Sequence, residues 1–303
     1  MAIVLENQSD TTVEATTFTD EVNLTHSVNS ASNLGLLVLV SFLNDVPETI
    51  SSIYWDPEGA NEELDYVIDY TTSDDSRVEA FYLHGPTPGA SKNVEVIFSA
   101  SPLDPTSVIV CAYTLSGVAQ SGAVRQYDGQ AGDITALTAV LSNAQSGDFL
   151  AGCAHVEAAF TNDWDSSTVT MTTVAEKTTQ SSHSHAHGMA DGTGETLVCT
   201  FSGNDHSAGL GIAIMPVQTS YELTGITKDN AGSVLGSCHC FLCKDNGDNT
   251  CSYVNYQLSN ASTGIYNFTG IGDNDAAYFV ISWKDNTPHV MDVTDHVLQP
   301  VEE

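Results

Sequence analysis

The chain has 303 residues, of which 39 are Asp or Glu and only 7 are Lys or Arg, giving a formal net charge of -32 at pH 7. So acidic a surface repels phosphate backbones, which excludes nucleic acid as an expected partner, and no apolar run approaches the roughly 18 residues of a membrane-spanning helix. The length suffices for one large and one small β domain, and 7 Cys, an odd number, cannot all pair within one chain.

The first residues, MAIVLENQSDTTVEATTFTD, carry no basic n-region and no apolar h-region, so they do not read as a secretory signal. Residues 1–20 are expected as an N-terminal arm, on a chain made in a cytoplasm and left unprocessed. Beyond it, Thr, Ser, Val and Asn dominate, and Gly, Pro, Asn and Asp clusters recur every ten or so residues. That texture predicts strands joined by turns. Strands are expected at Leu34 to Leu43, Ile50 to Trp55, Val78 to Leu83, Asn93 to Ala100, Ser107 to Leu115, Phe149 to Phe160, Thr168 to Val174, Glu195 to Phe201 and Ala208 to Pro216. Asn93 to Phe98 alternates strictly, the mark of one wet and one packed face. Asp133 to Gln145 has some helical spacing, but its Thr residues and the Ser146-Gly147-Asp148 turn favour a loop with a short strand.

Composition shifts near Pro216 to Ser220, which places a boundary at about residue 218. Further strands are expected at Tyr221 to Thr227, Ser237 to Leu242, Ser252 to Leu258, Gly264 to Thr269, Ala277 to Trp283 and Thr294 to Gln299. The fold class is therefore all-β, with residues 21–218 as a larger sandwich and residues 219–303 as a smaller one.

Both pieces resemble known families. In the second, Gly225, Asp229, Gly232 and Leu235, then Gly264, Tyr266 and Phe268, then Ala277 to Val280 follow the pattern of the carboxypeptidase-regulatory-like, or transthyretin-like, β-sandwich over residues 219 to 301. The resemblance implies an accessory module for stability, display or adhesion, with no catalytic residues; Cys238 and Cys240 stand where the family usually has Val or Leu. In the first, Glu79 to Leu83, the Val94 to Phe98 strand and Ala112 to Val118 are similar to the jelly-roll-like sandwiches of virion proteins and secreted bacterial surface proteins.

Four groups of residues invite chemistry. Cys240 and Cys243 have zinc-knuckle spacing, but a strand over Cys238 to Leu242 puts Cys238 and Cys240 on one face and His239 on the other, so structural thiols are expected. A Cys243–Cys251 disulfide across the intervening turn stays open. His183, His185 and His187 would line one side of an extended segment and, in a symmetric trimer, surround a transition metal; the flanking Ser, Thr and Gly favour a solvated loop instead. Asp163 with Asp165, Asp74 with Asp75, and Asp245 to Asn249 are expected as solvated turns rather than calcium loops. Trp55, Trp164 and Tyr54 would stack on sugars if exposed, and belong to the core otherwise.

No nucleophile elbow, zincin, Walker or dinucleotide motif occurs, so no enzyme, cofactor or catalytic residue is expected. The function expected is a non-enzymatic virion surface protein, a capsid decoration, head fibre or tail accessory, partnered by the major capsid protein and by copies of itself, with a trimer favoured. A host-surface glycan is a further partner. A secreted adhesin or carbohydrate-binding module is the alternative, and a glycoside hydrolase with an unrecognised carboxylate pair a second one.

Overall fold

The computed structural model describes residues 2–13, 21–43, 49–72, 76–99, 107–166, 169–178, 181–217, 221–229, 231–246, 250–271, 278–284, 290–293 and 301–302. It divides into two compact units, Met1–Val217 and Gln218–Glu303. In the first unit the strands are β1 (Val4–Val13), β2 (Glu21–Val28), β3 (Gly35–Leu43), β4 (Ile50–Trp55), β5 (Glu62–Glu63), β6 (Asp65–Thr71), β7 (Ser76–His84), β8 (Gly89–Phe98), β9 (Val108–Ser116), β10 (Val124–Leu141), β11 (Phe149–Val156), β12 (Asn162–Ser166), β13 (Thr172–Lys177), β14 (Ser182–Met189) and β15 (Glu195–Ile214). The second unit holds β16 (Tyr221–Ile226), β17 (His239–Asp245), β18 (Cys251–Leu258), β19 (Ile265–Ile271), β20 (Tyr278–Lys284), β21 (Val290–Val293) and β22 (Val301–Glu302).

The first unit stacks three sheets. A central sheet, β1-β9-β3-β7-β6, lies between a small outer sheet, β2-β8-β4-β5, and a long-stranded sheet, β10-β15-β11-β14-β13, onto which β12 adds through β15. Because both faces of the central sheet are covered, β3 and β9 are buried at every position, which is why they are nearly continuous apolar runs. Leu36, Val38, Val40 and Phe42 pack with Val22, Leu24, Ile53, Trp55 and Val96 of the outer sheet. Leu37 and Leu39 pack on the other side with Phe149, Ala151, Leu210 and Ile212 of the long-stranded sheet. The far face of that sheet closes over Leu137, Leu150, Trp164 and Leu197. Each fully buried Leu, Ile or Phe contributes about 1.5–3 kcal/mol relative to exposure.

Several elements differ from expectation. Within the expected arm of residues 1–20, Val4–Val13 is no arm but strand β1, antiparallel to β9 from Val4 opposite Ser116 to Val13 opposite Val108. Its polar sequence, VLENQSDTTV, is that of an edge strand, with an alternation too weak to read. Asp133 to Leu141, where a loop with a short strand was expected, is strand throughout, the second half of β10 paired to β15 with a register shift between Ile134 and Ala136. The two strands expected at Glu195 to Phe201 and Ala208 to Pro216 are one 20-residue strand. Of the strand expected at Thr168 to Val174, Thr172 to Val174 open β13, while Thr168 and Thr294 to Gln299 lie outside the described residues.

The second unit packs a three-stranded sheet, β19-β16-β22, with a four-stranded sheet, β18-β17-β20-β21. Leu223, Cys238, Cys240, Leu242, Tyr266, Phe268, Tyr278 and Val280 form its core. Tyr266 and Phe268 point inward at period two, and Asp229 closes the preceding turn by accepting from the Ala231 and Ser233 amides.

Candidate functional site

The Ser181 to His187 segment is not a solvated loop. It forms β14, whose His183 and His185 are fully buried and whose register sets His183 opposite His155, His185 opposite Cys153 and His187 opposite Ala151 of β11. Its imidazoles therefore face the central sheet, where serines meet them. Ser41 Oγ lies 2.9 Å from His183 Nδ1 and 2.8 Å from His185 Nε2, while Ser107 Oγ lies 2.7 Å from His183 Nε2. In this relay the serine hydroxyls both donate and accept, so they match neutral imidazoles of either tautomer. Ser76 Oγ donates to the His206 carbonyl at 2.7 Å, so its lone pair accepts from His155 Nδ1 at 2.8 Å. That leaves His155 Nε2 as a bare acceptor, and it is buried without a hydrogen-bond partner among the described residues.

Burial disfavours the charged imidazoles throughout. It lowers His155 to about 3, with Lys177 adding to the effect, and His185 to about 3; His183 is driven well down by burial and then by its His155, His185 and Lys177 neighbours. His183 Nδ1 and His185 Nε2 both point at the Ser41 hydroxyl, which fills the space between them. His187 stacks separately on Phe149 at 5.6 Å. His183, His185 and His187 are thus held in a polar layer between two sheets rather than converging on a metal.

Among the described residues, the ligand-type group that converges was not legible in the sequence. Glu157, Asp205 and His206, half-buried, bring one donor atom each within 4.8 Å of one another. His206 lies 3.3 Å from Glu157 through Nδ1 and 3.2 Å from Asp133 through Nε2. The members come from β10, β15 and the end of β11, and no local spacing announces them. On the outer sheet, Glu21, Asn23, Tyr54, Glu58, Asn61, Asn93 and Glu95 line an open cleft of about 350 Å³. Glu95 is raised by burial, then by the Glu21 charge and a hydrogen bond to Glu21.

The Trp residues proposed as sugar platforms in the first unit belong to its interior: Trp55 is 0% exposed and Trp164 7%. Trp55 packs between the outer and central sheets and donates to the Thr87 carbonyl at 2.8 Å, and Trp164 packs on the far face of the long-stranded sheet. Tyr66 and Tyr127 are exposed singly in the first unit, whereas the second unit gathers its exposed aromatics on one sheet face. Cys238, just before β17, and Cys240 and Leu242 on it face the core, so His239 and Phe241 face outward. They meet Tyr256 of β18 and Trp283 of β20, which are their ladder partners or one residue pair away. Phe241 stacks on Trp283 at 4.6 Å and 10°, and His239 on the other part of the pile at 5.4 Å and 18° from Trp283. Tyr256 joins His239 through a 2.8 Å hydrogen bond, and Tyr253 leans on Phe241 at 6.1 Å. Tyr253 and Tyr256 remain 64% and 38% exposed. The strand parity that put His239 opposite Cys238 and Cys240 was the available signal for this face. The same parity separates Cys240 from Cys243, which the fold places on opposite faces of the sheet, so the zinc-knuckle spacing does not gather ligands.

Of the acidic turns, Asp163 and Asp165 lie exposed on β12, and Asp245 is exposed at the end of β17. Asp74, Asp75 and residues 247–249 fall outside the described residues.

No protein-family model matches the chain, and no curated protein matches it. The resemblance of residues 219 to 301 to the carboxypeptidase-regulatory-like sandwich therefore rests on its own turn and core residues. Among solved structures, one titled "Biofilm associated protein - BSP domain" aligns with 99% of this chain and 80% of that chain at 8% identity, with a TM-score of 0.19, a superposition too poor to carry an argument. The chain stands as an all-β protein of stacked antiparallel sheets.

Proposed function

We propose that the protein is a non-catalytic attachment protein, of the secreted or surface-displayed adhesin kind, whose second unit binds a neutral polysaccharide. The observation that carries this reading is the exposed aromatic face formed by Tyr253, Tyr256, His239, Phe241 and Trp283. Sugar rings offer apolar C–H faces that pack on aromatic groups, and hydroxyls that hydrogen-bond to polar tips such as a tyrosine Oη. Stacking among Trp283, Phe241 and His239 stiffens the pile, so less side-chain freedom is lost on binding. A net charge of -32 disfavours anionic polysaccharides, which leaves neutral ones.

The virion role expected from the sequence draws no support from the comparisons. The glycosidase reading is disfavoured at the outer-sheet cleft, because Glu21 and Glu95 touch through a hydrogen bond, closer than the roughly 5 Å that a retaining carboxylate pair needs. Symmetric self-association remains part of the proposal, since several weak platforms on one particle raise avidity.

The test is depletion of the purified full chain by insoluble cellulose, chitin and starch. Binding to at least one is expected, weakened about tenfold by Tyr253→Ala or Tyr256→Ala, a loss of about 1.4 kcal/mol. Failure to bind any neutral polysaccharide, or binding indifferent to both substitutions, would overturn the reading.

A further inference from the structure

Six of the seven thiols are buried and one, Cys251, is exposed. Cys111 and Cys153 belong to the core between the central and long-stranded sheets, Cys199 to that sheet's far face, and Cys238 and Cys240 to the core of the second unit. Cys243 is buried differently. It follows a bulge between Leu242 and Cys243, pairs with Tyr253 on one side and Phe279 on the other, and lies on the outward face beside the aromatic pile. Cys251 opens β18 opposite Asp245, two residues before Tyr253, so it shares that face and is the diagonal cross-strand neighbour of Cys243. The two thiols are in hydrogen-bonding contact.

We propose that Cys243 and Cys251 are an oxidisable pair whose disulfide closes the β17–β18 hairpin and fixes the strand that carries Tyr253 and Tyr256. β18 has most to gain from such a bond. Among the described residues it pairs with β17 alone, and nearly all of it is exposed. The mouth of the hairpin is already drawn together, with the Asn246 amide donating to the Thr250 carbonyl at 3.1 Å and Ser252 Oγ donating to Asn246 Oδ1 at 3.0 Å.

The oxidant class is a low-molecular-weight disulfide such as oxidised glutathione. Exposed Cys251 loses its proton to water, and its thiolate attacks one sulfur of the reagent, breaking that S–S bond and releasing one glutathione thiolate. Cys243 then gives up its proton and attacks the Cys251 sulfur of the mixed disulfide, expelling the second glutathione thiolate. Two protein thiols are oxidised, and one glutathione disulfide is reduced to two thiols. Burial and the neighbouring Cys251 hold the Cys243 thiol above its usual range, which assigns first attack to Cys251.

The bond itself does not depend on the attachment reading; only its consequence for the aromatic face does. The full chain is incubated with oxidised glutathione, the remaining thiols are alkylated after unfolding, and intact mass and linked peptides are read. The expected product has lost two hydrogens, joins Cys243 to Cys251 and leaves the other five cysteines alkylated. Amide exchange in β18 should slow by about tenfold to a hundredfold. Cys251→Ser, at an exposed position that leaves packing intact, should give no linkage, as should Cys243→Ser. A stable glutathione adduct on Cys251, or Cys251 linked to a second chain, would overturn the proposal whatever the polysaccharide assay reports. If the linkage forms and polysaccharide binding is absent in both redox states, the attachment reading fails and the thiol pair stands.

Discussion

At the scale of single residues, the molecule places neutral imidazoles where water does not reach. His26, lowered by burial to about 4, joins His155, His183 and His185 in this respect, bonded to Ser9 at 3.0 Å and Thr114 at 2.8 Å. An unfolded imidazole takes its proton near pH 6.5, whereas these take theirs far lower. Between those values the unfolded chain binds more protons, so stability is complete above about pH 6.5 and falls as pH drops, by about 1.4 kcal/mol per pH unit for each such group. Carboxylates titrate mostly below about pH 5 and do not mask this window. A melting temperature that declines between pH 6.5 and 5 is expected; one that is flat or rises there would contradict the neutral relay. Ser41→Ala removes the hydroxyl shared by His183 and His185 and should cost about 1–3 kcal/mol in denaturant melts, the penalty of stranded buried polar groups. Arg125 forks onto fully buried Asp148 through Nε at 2.6 Å and Nη2 at 3.1 Å. Arg125→Met should therefore destabilise the first unit by about 3–5 kcal/mol, because it leaves a buried carboxylate uncompensated.

At the scale of elements, packing between strands decides what local pattern leaves open. Gly152 of β11 lies beneath Trp164 of β12, where a Cβ would come within 2.6 Å of the indole. Gly152→Ala is expected to push β12 away at a cost of about 1–3 kcal/mol, partly recovered in a Trp164→Leu background. If denaturant melts show Gly152→Ala to be neutral, the contact is not tight. β3 and β9 were legible because apolar residues occupy both faces, and β8 because its residues alternate; β2 was not among the expected strands, although its burial alternates too. β14 was not legible. Ser182-His183-Ser184-His185 reads as solvated, and the groups that satisfy its imidazoles are serines far away in sequence, Ser41 and Ser107. No window along the chain contains those partners. β1 and β10 were obscured for a related reason, since edge and solvent-facing strands carry the polar residues that also mark loops. In the second unit the face of Cys238 and Cys240 and the opposite face of His239 followed from parity alone. That Phe241, Tyr256 and Trp283 join His239 depended on ladder register, which a single strand does not contain.

At the scale of the whole molecule, charge and surface chemistry pull apart. The 39 acidic residues face only 7 Lys and Arg, and the first unit spends three of those cations on buried or half-buried pairs, Arg77 with Asp69 and Glu79, Lys92 with Asp56, and Arg125 with Asp148. Residual repulsion among exposed carboxylates should shrink as salt shortens the Debye length from about 10 Å at 0.1 M to about 3 Å at 1 M. The melting temperature should accordingly rise with sodium chloride, and a fall would show that specific ion pairs outweigh the general repulsion. Residues 251–271, by contrast, contain no Asp, Glu, Lys or Arg, so the strand that presents Tyr253 and Tyr256 is a neutral stretch in an acidic chain. Attachment through that neighbourhood is the central claim. Trp283 belongs to the aromatic pile while Trp55 and Trp164 are buried in the first unit, so Trp emission during titration with soluble neutral oligosaccharides tests it most directly. A saturable change that disappears in Trp283→Phe is the predicted result. An unchanged spectrum with oligosaccharides of every polysaccharide that retains the protein, or a change that survives Trp283→Phe, would contradict it.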